Sequence, residues 1–393
     1  MEFVLIGAGM GCEALLTAQA REEIASADRV LATPRLAAGL AGVRAGIEAV
    51  PLAQLAARAC AGAGKIAVLL SGDTGFFSAA KSLRARLCAH GAVRILPGLS
   101  SLQVFCAKLG TPYDDAVWLS MHGRQGGLLG AVSYHRKVFA LTGGQFRADA
   151  LCAALTQAGL GHVRVHVGEN LGAAEERIVS GTPEQLARET FDDLSVLLVE
   201  NDRPADGARP LRDSDFVRGE VPMTKQEVRW LACDLLAVRP TDVVYDIGAG
   251  TGSVSMELAR RAACGQVYAV ECKPEALELI ERNRAHTGNY HVTAVAATAP
   301  DGLDALPAPD CAFVGGSRGN LAQIVRALLD KNPNVRLVIS AIALETVHEA
   351  MQALREAGIE PDISCVQVSR ARAAGSYHMM TAQNPIYLIG GNL

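Results

Sequence analysis

The sequence has 393 residues, more than one hydrophobic core usually supports, so we expect two domains of about 200 residues each. Half of the residues are apolar and one fifth are charged, which is the composition of an ordinary globular chain and excludes a disordered one. The net charge of -4 gives no global basic field of the kind that accompanies sequence-independent nucleic-acid binding.

The cysteines and the apolar runs give expectations about the cellular setting. The ten cysteines are scattered, with no C-x-x-C pair and no Cys/His cluster at zinc spacing, so we expect a reduced, cytoplasmic protein without a metal. Cys106, Cys152 and Cys311 fall in helix-like or strand-like runs and are interpreted as buried small hydrophobes. No apolar run approaches the roughly 20 residues that span a bilayer, and the N-terminus lacks a signal-peptide pattern, so no membrane partner is expected.

Strand-like apolar runs alternate with helix-like periods through the first half of the chain. The runs are FVLI, DRVLA, IAVLL, VRIL, AVWL, KVFAL, VRVHV and LSVLLVE. The alternation predicts an α/β domain with a mostly parallel sheet, or with two small sheets. Residues 201–222 are rich in Pro, Asp, Arg and Gly without a sustained apolar period, which predicts a linker or an interdomain hairpin.

The second half predicts another α/β domain. It begins with a helix in TKQEVRWLACDLLAV, with Thr224 as N-cap and Glu227 as its capping-box partner. Further helices are predicted at about 252–263, 274–285, 318–330 and 343–357. The predicted strands are DVVYDI, QVYAVE, HVTAV, DCAFVG, VRLVIS, ISCVQVSR and PIYLIG. No clear helix separates the last two strands, so an antiparallel hairpin is expected to close an otherwise parallel sheet of seven strands.

A glycine-rich loop, YDIGAGTG at residues 245–252, follows the first strand of this second half. Its glycines are spaced G-x-G-x-G and position 253 is Ser, whereas a dinucleotide fold needs G-x-G-x-x-G, so the spacing disfavours a nucleotide-dependent oxidoreductase. Asp246 precedes the loop, and Glu271 ends the next strand, 21 residues after Gly250. A carboxylate at that strand end is placed to bridge two ribose hydroxyls.

This pattern resembles motif I of class I S-adenosylmethionine methyltransferases, and the resemblance implies that cofactor; a glycine-rich turn without a ligand is the alternative. QNPIY at residues 383–387 is similar to the NPPY box of amino-methylating DNA enzymes. In those enzymes the box follows the fourth strand, whereas here the fourth strand leads into FVGGSRGN, so a nucleic-acid substrate is disfavoured.

Six phrases of the second half resemble the CbiT family, whose members methylate C15 and decarboxylate a tetrapyrrole in cobalamin biosynthesis. They are PMTKQEVR, DIGAGTGSVS, VGGSRGN, SAIALETVHEA, QVSRAR and MTAQNP, and the resemblance covers residues 215–393. It implies cofactor contacts at Thr224, Asp246, Gly248, Ala249, Gly250, Thr251, Gly252, Glu271, Ala297 and Thr298. One position departs from the family, because Thr298 stands where an Asp would bind the adenine amino group, so backbone or another side chain must hold adenine.

The first half resembles the class III tetrapyrrole methylases over residues 1 to about 200. Two conserved boxes of that fold are similar to SGDTGFFS at 71–78 and PGLSSLQVF at 97–105. Its C5-methylating CbiE branch has phrases similar to LSMHGR and VGENLGAAEERIVSGTPEQLA. The resemblance implies cofactor contacts at Gly72, Asp73, Phe76, Ser100 and Ser101. The first loop, GAGMGCEALLT, departs from the family by having Met10 and Cys12 near its Pro and Asp positions, and we expect it to face the cleft and the macrocycle.

A CbiE-like half followed by a CbiT-like half resembles the fused precorrin-6B C5,15-methyltransferases (the CobL family). The resemblance implies residues 1–202 as the C5-methylating domain, 203–222 as a linker and 223–393 as the C15-methylating, decarboxylating domain. It also implies precorrin-6B as substrate, precorrin-8 as product, two S-adenosylmethionine sites per chain and a homo-oligomer, a dimer or a tetramer. The same chemistry on cobalt-precorrins and a carrier protein with one inactive half remain as alternatives.

The chemistry implied by this resemblance needs few acids or bases, because the sulfonium of the cofactor already activates the methyl group. Positioning of the macrocycle carbon is the main task. Since the substrate carries many carboxylates, cationic side chains are expected around the site of the CbiT-like half. Lys225 and Arg318 are the catalytic candidates there, and Arg229, Arg370 and Arg372 also lie in segments that resemble the family. For the CbiE-like half the catalytic candidates beside the macrocycle are His122 and Arg124.

Overall fold

The computed structural model describes residues 1–121 and 127–392. The candidates His122 and Arg124 lie outside these residues. The chain divides into two compact units. The first unit comprises the described residues of Met1–Arg124, Lys137–Ala153 and Val163–Glu200, and the second those of Gln125–Arg136, Ala154–His162 and Asn201–Leu393.

The first sheet is wholly parallel, in the order β3-β2-β4-β1-β5. Its central strands are apolar runs buried on both faces, as a parallel sheet covered by helices requires. The strands are β1 (Glu2–Gly7), β2 (Arg29–Ala32), β3 (Glu48–Ala49), β4 (Lys65–Leu70) and β5 (Ala92–Leu96). The helices between them are α1 (Ala18–Ser26), α2 (Pro34–Gly39), α3 (Leu55–Cys60) and α4 (Ala80–Leu87).

A second five-stranded sheet follows in the order β6-β7-β10-β8-β9, parallel between β6 and β7 and antiparallel elsewhere. The first half therefore forms two small sheets. The strands are β6 (Val117–Ser120), β7 (Lys137–Leu141), β8 (Arg164–Glu169), β9 (Arg177–Gly181) and β10 (Ser195–Glu200). The helices are α5 (Ser101–Leu109), α6 (Leu128–Tyr134), α7 (Ala148–Gln157) and α8 (Pro183–Leu186).

The third sheet lies in the second unit and has seven strands, in the order β13-β12-β11-β14-β15-β19-β16. Only β19 runs antiparallel to its neighbours, so the prediction of a mostly parallel seven-stranded sheet is confirmed. The strands are β11 (Val243–Ile247), β12 (Gln266–Glu271), β13 (Val292–Ala296), β14 (Cys311–Val314), β15 (Arg336–Ala341), β16 (Asp362–Val366), β17 (Ser369–Ala374), β18 (Tyr377–Ala382) and β19 (Ile386–Gly391). Strands β17 and β18 form a separate exposed hairpin that the sequence analysis missed.

The helices after residue 222 follow the predicted ranges within a few residues. They are α9 (Gln226–Leu235), α10 (Ser253–Arg261), α11 (Pro274–Thr287), α12 (Leu321–Lys331) and α13 (Leu344–Glu356). Helix α12 shows why: Leu321, Ile324, Val325 and Leu328 recur at helical spacing and are all buried against the sheet. Every helix within residues 1–121 and 127–392 is too short or too polar to cross a membrane.

The predicted cap of α9 is wrong. The N-cap is Lys225, whose side chain makes no capping hydrogen bond. Thr224 instead accepts a hydrogen bond at its carbonyl oxygen from Arg229 Nη1, 2.8 Å away. The Glu227 carboxylate pairs with Arg370, 143 residues later in the chain. One local and one long-range arginine contact thus stand where the capping box was predicted.

The segment 203–222 belongs to the second unit and packs on its core. Phe216 is buried in its core, and the guanidinium of Arg229 lies 4.7 Å from the Phe216 ring centre. Arg229 is fully buried and also donates to the Leu211 carbonyl oxygen at 2.8 Å. Asn283 on α11 holds Val217 with two hydrogen bonds, of 2.7 and 3.2 Å. These contacts make the segment a strap across the unit, which we call the strap below.

The three cysteines that the sequence analysis expects to be buried are buried. Cys106 lies in α5, Cys152 in α7 and Cys311 in β14, each with no exposed surface. Burial raises the pKa of Cys152 and of Cys311 to about 12, so neither thiol ionises near neutral pH. These side chains serve as small apolar core residues.

Candidate functional site

The candidate site of the second unit lies at the carboxyl ends of three neighbouring strands, β11, β12 and β14. Loops from adjacent parallel strands converge at this edge, which is where open α/β sheets bind ligands. Gly248 follows β11 with φ +73°, and a Cβ atom on it would lie 2.6 Å from the Gly316 carbonyl oxygen. The loop after β11 therefore packs backbone against backbone on the loop after β14, which glycine alone permits.

Glu271 at the end of β12 holds the glycine loop in shape. One carboxylate oxygen accepts the Gly250 N–H at 2.9 Å, and the other accepts the N–H groups of Cys272 and Lys273 at 2.8 and 3.0 Å. Burial alone would raise the pKa of Glu271, but these three N–H groups favour the charged form and the pKa is lowered. The site therefore carries a fixed negative charge beside the backbone of the loop.

Asp246, the second residue of the YDIGAGTG motif, is fully buried beneath the loop. Ser255 on α10 donates a hydrogen bond to its Oδ2, while Oδ1 has no partner among the described residues. Burial raises the pKa of Asp246 to about 7, and the nearby Glu271 charge adds to the rise. The hydroxyl of Thr251, also buried, has no partner within the described chain either. Two polar atoms under the loop are thus unsatisfied.

The remaining loop residues are placed by the backbone. Ala249 is buried and its N–H donates to the Val270 carbonyl oxygen at 3.1 Å. Gly252 has φ +74° and caps α10. Ala297 follows β13, and its N–H donates to the Glu271 carbonyl oxygen at 3.0 Å. Thr298 comes next in the chain and is half-buried, after a strand that is separated from β11 by β12.

Sequence reasoning missed Asn283. Besides holding the strap, its Nδ2 donates to the Thr251 carbonyl oxygen at 2.9 Å. One amide therefore fixes both the glycine loop and residue Val217, which lies 66 positions earlier in the chain. No local pattern marks it, since an Asn within a helix such as α11 is ordinarily a surface residue.

The five cationic candidates fall into three groups. Arg229 has no exposed surface, so its charge serves the strap and does not reach a ligand. Arg370 pairs with Glu227 and lies 3.9 Å from Asp213. Lys225, Arg318 and Arg372 are exposed, and their side chains form no ion pair with another residue that the structure describes. Arg318 lies in the loop after β14 with φ +51°.

The candidate site of the first unit is built by three loops at the carboxyl ends of β4, β1 and β5, which are neighbours in the sheet. The Gly9 N–H donates to the Gly72 carbonyl oxygen at 3.2 Å, and the Gly72 N–H returns a bond of 2.7 Å to Gly9. A Cβ atom on Gly7 would lie 2.5 Å from the Gly98 nitrogen. All three loops thus meet backbone to backbone, including the first loop, which the sequence analysis assigned to the cleft.

Asp73 joins two of these loops. Its Oδ1 accepts the Gly98 N–H at 3.0 Å, and its Oδ2 accepts the Gly75 N–H at 2.9 Å. Ser100 then caps α5 through a reciprocal capping box with Gln103, and Ser101 begins the helix. The PGLSS phrase is therefore a strand-to-helix turn, held by Asp73 at the Gly98 N–H and by Gln103 at the Ser100 N–H.

Arg35 is a second residue that sequence reasoning missed. Its two terminal nitrogens donate to the Met10 carbonyl oxygen at 3.0 Å and to Ser71 Oγ at 2.7 Å. It thereby clamps the first loop onto the loop after β4. Cys12 packs against Gly172, where a Cβ atom would lie 3.2 Å from the thiol sulfur. Met10 and Cys12 thus fill space under the first loop.

The residues of both loop clusters fit S-adenosylmethionine. In the second unit, the orphaned oxygen of Asp246 and the Glu271 carboxylate suit a ligand that carries positive charge and ribose hydroxyls. In the first unit, a Cβ atom on Gly72 would meet only the Ser100 Cα, at 4.0 Å, so a ligand can approach the backbone closely there. Within residues 1–121 and 127–392, no group of His, Cys, Asp or Glu side chains is arranged to hold a metal ion.

Comparison with known proteins assigns each half of the chain to a family. Residues 2–187 match the family of tetrapyrrole (corrin/porphyrin) methylases, and residues 215–389 match the precorrin methyltransferase domain. The fold and the two loop clusters thus define a methyltransferase that uses S-adenosylmethionine and consists of two different modules.

One relative spans both modules. The precorrin-6Y C(5,15)-methyltransferase (decarboxylating) of Sinorhizobium is 31% identical over 329 residues, which are 81% of this chain and 77% of the relative. The chain therefore belongs to the family of precorrin-6Y C(5,15)-methyltransferases of cobalamin biosynthesis.

Shorter relatives match the second half. A probable cobalt-precorrin-6B C(15)-methyltransferase (decarboxylating) of Methanothermobacter thermautotrophicus is 40% identical over 181 residues, 45% of this chain and 93% of that protein. Among solved structures, precorrin-6Y C5,15-methyltransferase of Geobacter metallireducens has 35% identity and a TM-score of 0.44, covering 46% of this chain and 95% of that one.

Proposed function

We propose that the chain converts precorrin-6B into precorrin-8 with two methyl donors, one bound at each loop cluster. Residues 1–202 methylate C5, and residues 223–393 methylate C15 and remove the carboxyl group of the C12 acetate. The observation that carries the proposal is the pair of independent glycine-lined strand-end clusters, at Gly7/Gly72/Gly98 and at Gly248/Gly316. The name of the relative that spans both modules, a C(5,15)-methyltransferase, supports it.

The cofactor supplies a methyl group already activated by its sulfonium. In the second unit the Gly248–Gly252 loop and Glu271 hold it, with the backbone at Ala297 and Thr298 beside the adenine in place of an acidic side chain. In the first unit Gly72, Asp73, Ser100 and Ser101 hold it. Asp73 and Glu271 have matching tasks, since each carboxylate accepts backbone N–H groups from the loop it supports.

The carboxylates of the macrocycle need cationic partners. Arg318 and Lys225 are exposed, and neither forms an ion pair in the described part of the second unit. Arg318 lies in the loop after β14, the strand next to β11, which leads into the glycine loop. We assign Arg318 to the acetate that loses its carboxyl group as CO2, because a charge-assisted bond orients that carboxylate while the conjugated ring accepts the electron pair of the broken C–C bond. For the C5 reaction the candidates remain His122 and Arg124, which the sequence suggests and which lie outside the described residues. We also propose that the chain forms a homo-oligomer.

The test uses two matched variants of the full chain, Asp73→Ala and Glu271→Ala. Each removes the carboxylate that supports one cofactor loop. With Asp73→Ala we expect mass spectrometry to show a product with one added methyl group and one lost carboxyl group. With Glu271→Ala we expect one added methyl group and no loss of CO2. Full-length variants are preferred to separated halves, because 127–136 and 154–162 fall in the second unit and a cut at 202 would remove them.

Loss of both reactions in either variant, with the melting temperature unchanged, would contradict the assignment of one reaction to each cluster. Glu22→Ala is the matched control, since Glu22 is an exposed carboxylate on α1 without an ion pair among the described residues. It should leave both reactions at the wild-type rate.

A second candidate is the same chemistry on cobalt-precorrins. The Methanothermobacter relative, which is 40% identical to the second half, is named a cobalt-precorrin-6B C(15)-methyltransferase. This name favours the cobalt-loaded substrate for the C15 reaction. Comparing kcat/KM on metal-free and cobalt-loaded substrate decides between the two, since the preferred form should turn over with the higher value.

A further inference from the structure

Two large aromatic side chains of the first unit are exposed to solvent near its cofactor loops. Phe77 lies in the loop after β4, four residues beyond Asp73, and 52% of its surface is exposed. Trp118 lies on β6, the edge strand of the second sheet, and is 47% exposed. Exposed rings of this size leave much apolar surface in water, which proteins concentrate at sites of binding.

A third ring holds the two exposed ones in place. The Phe76 ring centre lies 4.9 Å from that of Phe77 and 5.8 Å from that of Trp118, with interplanar angles of 70° and 72°. Phe76 in turn packs against Phe139, which is fully buried, at 6.0 Å. The edge-to-face geometry is the one favoured between aromatic rings, so Phe77 and Trp118 are exposed but anchored to the core.

The backbone of Phe77 is strained. Its φ of +47° is in the left-handed region that bulky side chains avoid. A small residue such as glycine would relieve this strain, and burial of the ring does not compensate for it, because half of the side chain is in water. Strain of this kind is retained where the direction of a side chain matters for a ligand.

We infer that Phe77 and Trp118 form an apolar platform on which the tetrapyrrole lies during methylation at C5. The inference rests on the proposed function of this unit. The acceptor carbon must come within about 3–3.5 Å of the transferred methyl group, so the macrocycle must lie beside the loop that contains Gly72 and Asp73. Phe77 belongs to that loop, and its ring offers an apolar surface to the conjugated part of the substrate.

The two rings supply a part of recognition that charge does not. Cations bind the peripheral carboxylates but do not fix the tilt of the ring system, whereas flat apolar side chains restrict that tilt and exclude water from one side. Neither Phe77 nor Trp118 touches the reacting atoms in this scheme. Both are positioning and specificity residues, and the contact they provide favours a broad conjugated ligand over a small carboxylic acid.

The experiment uses full-length Phe77→Leu and Trp118→Leu variants, which remove the aromatic rings but keep apolar side chains. Phe77→Leu also keeps a backbone conformation that is strained for any such residue, so it tests the ring alone. Trp118→Phe is the conservative variant. Leu52→Ala is the control, because Leu52 is 50% exposed in the same unit but lies in a short turn before α3. The KM for precorrin-6B is measured separately for C5 methylation and for CO2 release.

We expect KM for C5 methylation to rise about tenfold in each leucine variant, the loss expected for one aromatic contact. Trp118→Phe should raise this KM only slightly, and Leu52→Ala should leave it unchanged. The KM for CO2 release should stay at the wild-type value in every variant. An unchanged KM in both leucine variants, with wild-type C5 methylation intact, overturns the platform alone. A wild-type chain that adds no methyl group at C5 overturns the proposed function. A leucine variant that changes the oligomeric state assigns the rings to a contact between copies and also overturns the platform.

Discussion

Replacing Asp246 by Asn should remove a specific pH dependence from the stability of the second unit. Asp246 is completely buried, and burial raises its pKa to about 7. In the unfolded chain the same carboxyl titrates near its ordinary value of 3.8. Between these two values the folded state binds one proton more than the unfolded state, so the free energy of unfolding falls as the pH rises. The amide of the Asp246→Asn variant does not titrate in this range and has nearly the same shape.

The size of the effect follows from this pKa. One pH unit corresponds to about 1.4 kcal/mol per proton, and the fall stops at about pH 7, where the folded state also loses the proton. Going from about pH 5.5 to about pH 8.5 should therefore cost the wild-type unit about 2 kcal/mol more than it costs Asp246→Asn. Because the comparison is a difference between two pH values, any constant cost of the Asn side chain cancels.

Urea unfolding at the two pH values measures this difference. Trp230 lies on α9 and the other tryptophan, Trp118, lies in the first unit, so Trp118→Phe gives a background in which fluorescence reports the second unit. Ser253→Ala, a buried hydroxyl at the start of α10, serves as a control that should keep the wild-type pH dependence. Equal pH dependence in wild type and Asp246→Asn would refute the reasoning, since Asp246 would then be ionised in the folded state throughout.

Three further predictions concern buried polar groups of the second unit. Burial lowers the pKa of His291 to about 4, so between pH 6.5 and about pH 4 this side chain contributes a loss of about 1.4 kcal/mol per pH unit as the pH falls, opposite in sign to the contribution of Asp246. In acid urea titrations a His291→Gln chain should lack this loss and be more stable, relative to the wild type, at about pH 4.5 than at about pH 6.5. Arg229→Met should cost about 3–5 kcal/mol in urea unfolding, because it removes the buried cation that pairs with Asp213 and donates to the Leu211 carbonyl oxygen; a loss below about 1 kcal/mol would show that the strap is held otherwise. Asn283→Ala should cost about 1–3 kcal/mol and raise the Kd for S-adenosylmethionine in calorimetry, because it frees the glycine loop from the strap; an unchanged Kd would disprove that link.

The parts of the fold and site that sequence alone predicts are those with short-range signals. The strands of the second unit are predicted by short apolar runs, and its helices by apolar residues that recur at helical spacing, as in α12. The glycine loop and Glu271 follow from spacing, because a tight turn after a strand and an acid at the next strand end are local features. The resemblance of each half to a family then supplies the reaction, which the comparisons support for the whole chain.

The parts that sequence does not predict depend on contacts between distant positions. Arg35 reaches Ser71, 36 residues away, and Asn283 reaches Val217, 66 residues away. Thr224 has the local pattern of an N-cap, but Lys225 takes the cap position, and Glu227, the expected capping partner, pairs with Arg370, 143 residues away. Residues 203–222 have the composition of a linker, because their few apolar side chains have no period, yet burial of Phe216 and contacts from the distant Arg229 and Asn283 anchor them. Tertiary contacts outweigh local preference in each case.

Mass spectrometry of the product that the full chain forms from precorrin-6B, with excess S-adenosylmethionine, tests the central claim most directly. Two cofactor clusters with separate tasks predict a product that has gained two methyl groups and lost one carboxyl group. A product that gains a single methyl group, with the chain folded and the cofactor in excess, would contradict the claim that both units are active.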